Sequence, residues 1–251
     1  AKGATPRAYL MTCAFPRDVN DRWIAAFARG LKADQKRFGL SLLGGDTVAT
    51  PGRATFGVTM FGDVPGKGML RRSGARPGDI LCVTGTIGDG HLGLTEILSP
   101  HPGLAPAQRS FLSARYRLPQ PRTRLGPALR GIATAALDVS DGLVQDVGHL
   151  AEQSGLRAVI DLQAVPLSPA ARVLARTDPN LPNRLAGAGD DYEIAFTIPL
   201  KRLAALKNAA RAARTPVTII GHVEKGQGVA VRLPDGAFAE PAAGGYDHFA
   251  R

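Results

Sequence analysis

The 251-residue chain is poor in cysteine, in aromatic side chains and in long apolar runs. Its two cysteines, Cys13 and Cys82, stand far apart and belong to no C-x-x-C pair or Cys/His group. That spacing excludes a disulfide framework and a zinc site, and it suits a reducing compartment. No apolar stretch approaches the roughly 18 residues that a membrane span needs, so the expected location is the cytoplasm. Aromatics make up 6% of the chain, and the arginines are scattered rather than gathered on one aromatic-laced basic face. A nucleic-acid surface is therefore not expected. The first ten residues have neither an initiator Met nor a basic stretch followed by an apolar one, which predicts the interior of a longer protein rather than a secretory leader.

What is present is a globular composition with an excess of positive charge. Hydrophobic residues make up 44% of the chain and the formal net charge is +10. The densest basic segment, 114–130, is interrupted by three prolines. A positive field without a compact basic patch suits small phosphorylated ligands.

Apolar patterning predicts a strand at 8–15, expected at an exposed edge, and a helix at 20–39 with Asn20 as its cap and Trp23, Phe27 and Leu31 on one face. Strands are expected at 40–43 and 53–62. A Gly- and Pro-rich stretch at 63–79 then marks a domain boundary. Beyond it come a strand at 80–84, a helical tract to about 132, a strand at 135–139 with a helix after it, and further strands at 157–162, at 192–198 and near the end. The fold class is α/β of the mixed α+β kind, divided as 1–66 and 67–251.

Several stretches carry possible chemistry. In "LDVSDGLVQDVGHL", Ser140 reads as a helix cap, Asp141 complements the helix dipole, and Asp138 lies inside an apolar strand run. A carboxylate there calls for a cationic partner, either a metal ion or an Arg. "TGTIGDGHLGL" contains G-x-G-x-x-G at Gly88, Gly90 and Gly93. A dinucleotide site would need a second strand and an acid about 20 residues on, and "SPHPGLAPAQRSFL" supplies neither. The glycines are read as a tight turn with close helix packing. "LLGGDTVATPG" puts Asp46 after a strand and a glycine pair, where it is placed for a hard cation or for an ordinary turn. Arg71 and Arg72 suit phosphate oxygens or are an ordinary surface arginine pair. In "GAGDDYEIAF", Asp190 stands where a strand begins, either to accept hydrogen bonds from a ligand or as a solvated loop residue.

Taken in order, "GGDT", "RRSGARPGD", "VTGTIGDGHLGL", "LDVSDGL", "AGAGDDYE" and "GYDHF" resemble the bacterial thiamine-monophosphate kinase family of the aminoimidazole-ribonucleotide-synthetase-like superfamily, along essentially the whole chain. The resemblance implies two α/β domains, dimerisation through the N-terminal one, and transfer of the ATP γ-phosphoryl group to thiamine monophosphate with Mg²⁺ and no phosphoenzyme. It implies Asp46, Asp138 and Asp141 as magnesium ligands, Gly45, Asp46, Arg72 and Ser140 as ATP contacts, and Asp190 and Tyr246 as contacts to the thiamine moiety. No side-chain nucleophile is implied. The family usually has Glu where this chain has Asp190. The family's acidic metal-binding segment is expected to precede Ala1-Lys2-Gly3-Ala4, leaving the N-terminal domain incomplete here. Two alternatives remain at this level: another ATP-using member of the superfamily, and a nucleotide-binding protein without catalysis. The C-terminal "GYDHFAR" lacks the cysteine of the hydrogenase-maturation member.

Overall fold

Tyr9, Met11 and Cys13 alternate with Leu10 and Thr12 along the first strand, and that period of two sets the smaller of two structural units. In the computed structural model, which describes residues 1–66 and 68–239, this unit begins at Ala4. Its strand β1 (Thr5–Pro16) pairs in parallel with β2 (Ser41–Thr50) and antiparallel with β3 (Thr55–Asp63). The first strand is therefore the centre of a three-stranded sheet and not an edge, because both later apolar runs return to flank it.

Helix α1 (Asp21–Phe38) connects β1 to β2. The side chain of Asn20 accepts a hydrogen bond from the Trp23 amide at 3.0 Å, and Gly39 ends the helix in the left-handed conformation. The apolar stripe of α1 covers one sheet face: Trp23 stacks on Phe27 with centroids 5.5 Å apart, and Phe27 lies 4.9 Å from Phe56. Tyr9, Met11 and Cys13 are buried in this cluster. On the other face Leu10 and Val48 are exposed.

β2 is longer than its apolar run suggests. Asp46 was expected just after a strand, yet it lies within β2, opposite Thr12 of β1. A Cβ on Gly45 would stand 1.6 Å from the Met11 carbonyl oxygen, so the glycine is there for close approach of two strands rather than for a turn.

The larger unit comprises residues 1–3 and the chain from Gly68 onward. Its seven-stranded sheet has the order β10-β9-β6-β8-β4-β7-β5, with β4 at Ile80–Thr84, β5 at Ala135–Val139, β6 at Arg157–Asp161, β7 at Glu193–Ile198, β8 at Val217–Glu224, β9 at Gly228–Arg232 and β10 at Phe238–Ala239. The expected helical tract resolves into α2 (Asp89–Leu98), α3 (Pro106–Arg117) and the single turn α4 (Leu125–Ala128), because Pro100 and Pro102 break it before α3, where Pro106 starts the helix, and Pro119 and Pro121 break it after. Helix α5 (Leu143–Ser154) follows β5, α6 (Pro169–Ala175) and α7 (Leu181–Ala186) precede β7, and α8 (Leu203–Ala213) precedes β8.

Both faces of this sheet are covered, which is why its inner strands read as continuous apolar runs. Leu81, Val83, Leu137, Val139 and Ile160 pack with Leu143, Val147 and Leu150 of α5. Cys82, Ile194 and Phe196 pack on the other face with Leu125, Leu129 and Leu206. Burial holds the Cys82 thiol up at about 12, so this cysteine is an inert core residue. No helix among the described residues is long and apolar enough to cross a membrane.

Candidate active site

Alternation along β5 places Ala136 and Asp138 on the same face. Ala136 is buried in the core, but Asp138 sits one step further along, at the end of an edge strand, and is exposed. The expectation of a carboxylate buried in the strand is therefore corrected. Among the described residues no Arg or Lys side chain forms an ion pair with Asp138.

A second correction concerns the turn that follows. Gly142, not Ser140, is the N-cap of α5. The capping acceptor comes from inside the helix: Asp146 Oδ2 accepts the amides of Ser140 (2.9 Å), Asp141 (3.1 Å) and Gly142 (3.2 Å). Asp146 is the buried acid of the stretch, and burial raises its carboxyl above the ordinary range. Its three bonds gather residues 140–142 into a tight loop in which the half-buried Ser140 donates its hydroxyl to Asp141 Oδ1 at 3.4 Å.

The loop between α7 and β7 packs directly on that turn. The Asp190 amide donates to the Ser140 carbonyl and the Tyr192 amide to the Val139 carbonyl, both at 2.8 Å. Asp190 and Tyr192 take left-handed backbone angles, φ 71° and φ 52°. Such conformations cost roughly 1–3 kcal/mol each for non-glycine residues, and they persist only where surrounding structure dictates them. A cavity of about 350 Å³ opens between the two loops, lined by Ser140, Asp141, Gly189, Asp190 and Tyr192, with His91 and Leu94 of α2 and Tyr116 of α3.

The glycine motif has a partner within the chain. The Gly88 amide donates to Asp191 Oδ2 at 2.7 Å and the Gly90 amide to Asp191 Oδ1 at 3.1 Å. An amide-lined helix N-terminus that in a dinucleotide fold would meet a pyrophosphate here holds a carboxylate of the protein itself. Close packing is equally plain: a Cβ on Gly90 would lie 2.2 Å from the Asp190 carbonyl oxygen. Gly90→Ala is accordingly expected to cost about 1–3 kcal/mol through overpacking, read as a lowered denaturation midpoint with an unchanged slope on denaturant concentration.

Ser140, Asp141 and Asp190 are thus brought to one cavity, and Asp138 lies on the strand leading into it. Arg72 is exposed and does not line that cavity; its carbonyl accepts the Ser154 hydroxyl at 3.5 Å. Gly45 and Asp46 belong to the smaller unit, where Asp46 is exposed and accepts the Thr47 amide at 2.8 Å. Tyr246 lies outside the described residues. The sequence reading missed His91, Tyr116 and Tyr192 as cavity walls, and Asp191 beneath them; the doubled acid of "GDDYE" was the available signal.

No group of three or more His, Cys, Asp or Glu residues among the described residues is arranged to hold a metal. The Asp138 and Asp141 carboxylates are oxygen donors of the kind Mg²⁺ takes, an ion that binds through one or two carboxylates and completes its shell with phosphate oxygens and water.

The AIR synthase related protein family matches this chain twice, by its N-terminal domain over residues 1–64 and its C-terminal domain over residues 76–234. A thiamine-monophosphate kinase of Caulobacter vibrioides is 42% identical over 91% of this chain, which spans 65% of that relative's length. The crystal structure of a thiamine-monophosphate kinase from Stenotrophomonas maltophilia K279a superposes with a TM-score of 0.86 at 35% identity, covering 95% of this chain and 75% of the other. A structure described as "AaThiL complexed with AMPPCP and TMP" superposes with a TM-score of 0.85 at 30% identity, covering 99% of this chain and 75% of the other.

Proposed function

We propose, since this chain belongs to the AIR synthase related proteins and within them to the thiamine-monophosphate kinases, that the protein carrying it transfers the γ-phosphoryl group of ATP directly to thiamine monophosphate. The observation that carries the proposal is the joining of two loops. Ser140 and Asp141, assigned to the nucleotide and its metal, and Asp190, assigned to the acceptor, line one cavity and are tied by the Asp190 amide to Ser140 carbonyl bond. A relative complexed with AMPPCP and TMP supports the same pair of ligands.

In this reading Asp138 and Asp141 would hold Mg²⁺, and Arg72 and Ser140 contact ATP; for the smaller unit taken by itself, Asp46 is read as a magnesium ligand and ATP contact and Gly45 as an ATP contact. Bound Mg²⁺ neutralises phosphate charge that would otherwise repel the two substrates. The residues of the chain bind, orient and exclude water, and no side chain serves as nucleophile. Asp190 and Tyr246 orient the acceptor. The smaller unit contributes to a homodimer, the partners are small molecules rather than nucleic acid or membrane, and the location is the cytoplasm.

The test is a product assay on the full-length protein with ATP, Mg²⁺ and thiamine monophosphate. Stoichiometric thiamine diphosphate and ADP are expected. ATP binding without product would mark a nucleotide binder, and turnover of ATP only with a substrate other than thiamine monophosphate would mark another branch of the superfamily.

A further inference from the structure

Asp191 is 1% exposed, yet it sits between the two cavity-facing residues Asp190 and Tyr192. Its carboxylate points away from the cavity to the Gly88 and Gly90 amides, at 2.7 and 3.1 Å. Its carbonyl accepts Arg115 Nη2 at 3.2 Å, and the same nitrogen reaches Glu193 Oε1 at 3.0 Å. On either side the backbone is left-handed without glycine. Tyr192 completes the arrangement by donating its hydroxyl to Asp190 Oδ1 at 3.1 Å.

We propose that Asp191 is a positioning residue: by occupying the anion site at the N-terminus of α2, it holds Asp190 and Tyr192 in the left-handed geometry that presents them to the acceptor substrate. The proposal rests on the acceptor reading of Asp190. It gives the dinucleotide-like glycine motif a role inside the chain: the Gly88 and Gly90 amides are already taken by the Asp191 carboxylate, 103 and 101 residues further along.

Titration supplies an independent handle. Burial pushes the Asp191 carboxyl up from 3.8 to about 7, against the pull of the Gly88 and Gly90 amides. The charged groups facing it are Asp89 from α2, which raises it further, and Arg115 from α3, which lowers it. A folded pKa above the unfolded one means that stability from this group is full below 3.8 and declines as pH rises toward about 7. Positioning has the opposite sense, since only the ionised carboxylate accepts both amides.

The experiment compares wild-type full-length protein with Asp191→Asn in steady-state kinetics from below to above neutral pH. Asp191→Asn is expected to raise KM for thiamine monophosphate on the order of tenfold while leaving KM for ATP within about twofold. The wild-type acceptor KM should climb as pH falls through about 7, and the variant should lack that dependence. Arg115→Met, which removes both contacts of Arg115 Nη2, should shift the acceptor KM the same way by a smaller factor, and it decides the matter should Asp191→Asn not fold. Equal loss for both substrates, or an unchanged acceptor KM in a folded variant, overturns the positioning role. A wild-type protein that binds ATP but does not phosphorylate thiamine monophosphate overturns the acceptor reading, and this proposal with it.

Discussion

Asp138→Asn is expected to abolish the Mg²⁺-dependent thermal stabilisation by ATP, and to slow phosphoryl transfer by about a hundredfold or more, while leaving the melting temperature of the ligand-free protein unchanged. The carboxylate is exposed at the end of an edge strand and makes no side-chain ion pair among the described residues, so the fold loses little when its charge is removed. A ligand at a hundred times its dissociation constant adds about 2.7 kcal/mol, which for a chain of this size is roughly 5–10 °C in melting temperature. If Asp138 holds the metal that ATP binding requires, Asp138→Asn removes that shift. Thermal melts with and without Mg·ATP measure both arms at once. A large drop for the ligand-free variant, with the Mg·ATP response intact, would mean that Asp138 serves the fold.

How far the sequence reaches can be judged at particular residues. β4 lies at the expected 80–84 because both faces of the sheet are covered there and the strand reads as an apolar run; β5 lies at the expected 135–139, an edge strand apolar except for Asp138. "GGDT" has the composition of a turn, which is why the strand is expected to end at 43, yet β2 runs on to Thr50. What overrides that composition is pairing with β1, a tertiary effect with no trace in local periodicity.

The candidate site divides in the same way. Acids and a hydroxyl at strand ends, such as Asp138, Ser140 and Asp190, stand out against apolar neighbours and can be picked from the chain alone. Their orientation cannot, because it is set by partners far away in sequence: Gly88 to Asp191 spans 103 positions and Arg115 to Glu193 spans 78. The Ser140 cap shows the limit at short range too. Ser140 and Asp146 both offer oxygen acceptors near the helix start, and the backbone of residues 140–142 wraps around the carboxylate, the stronger acceptor.

Glu193→Ala should be the most damaging single change to stability, lowering it by about 3–5 kcal/mol and the melting temperature by roughly 6–20 °C. Glu193 is 1% exposed at the start of β7. Arg115 Nη2 donates to its Oε1 at 3.0 Å, Arg122 Nη2 donates to the same atom, and Arg122 Nε reaches Oε2 at 2.7 Å. The Thr84 hydroxyl donates to Oε2 at 2.5 Å while accepting the Ile194 amide at 2.8 Å, which ties the acid to β4 and β7 together. The two arginine side chains are only 10% and 20% exposed, so removal of the carboxylate strands two cations with little access to water. That stranding, rather than the intrinsic value of the ion pairs, is the source of the cost, and it can be separated experimentally. Glu193→Gln keeps the shape and one acceptor and should lose less. Replacing Glu193, Arg115 and Arg122 together with Met, Met and Leu removes the charges along with their partner and should recover much of the stability lost by Glu193→Ala. Denaturant unfolding of the three proteins decides it. If the triple replacement is no more stable than Glu193→Ala, the network contributes through its own bonds to β4 and β7, and the stranded-charge account is wrong.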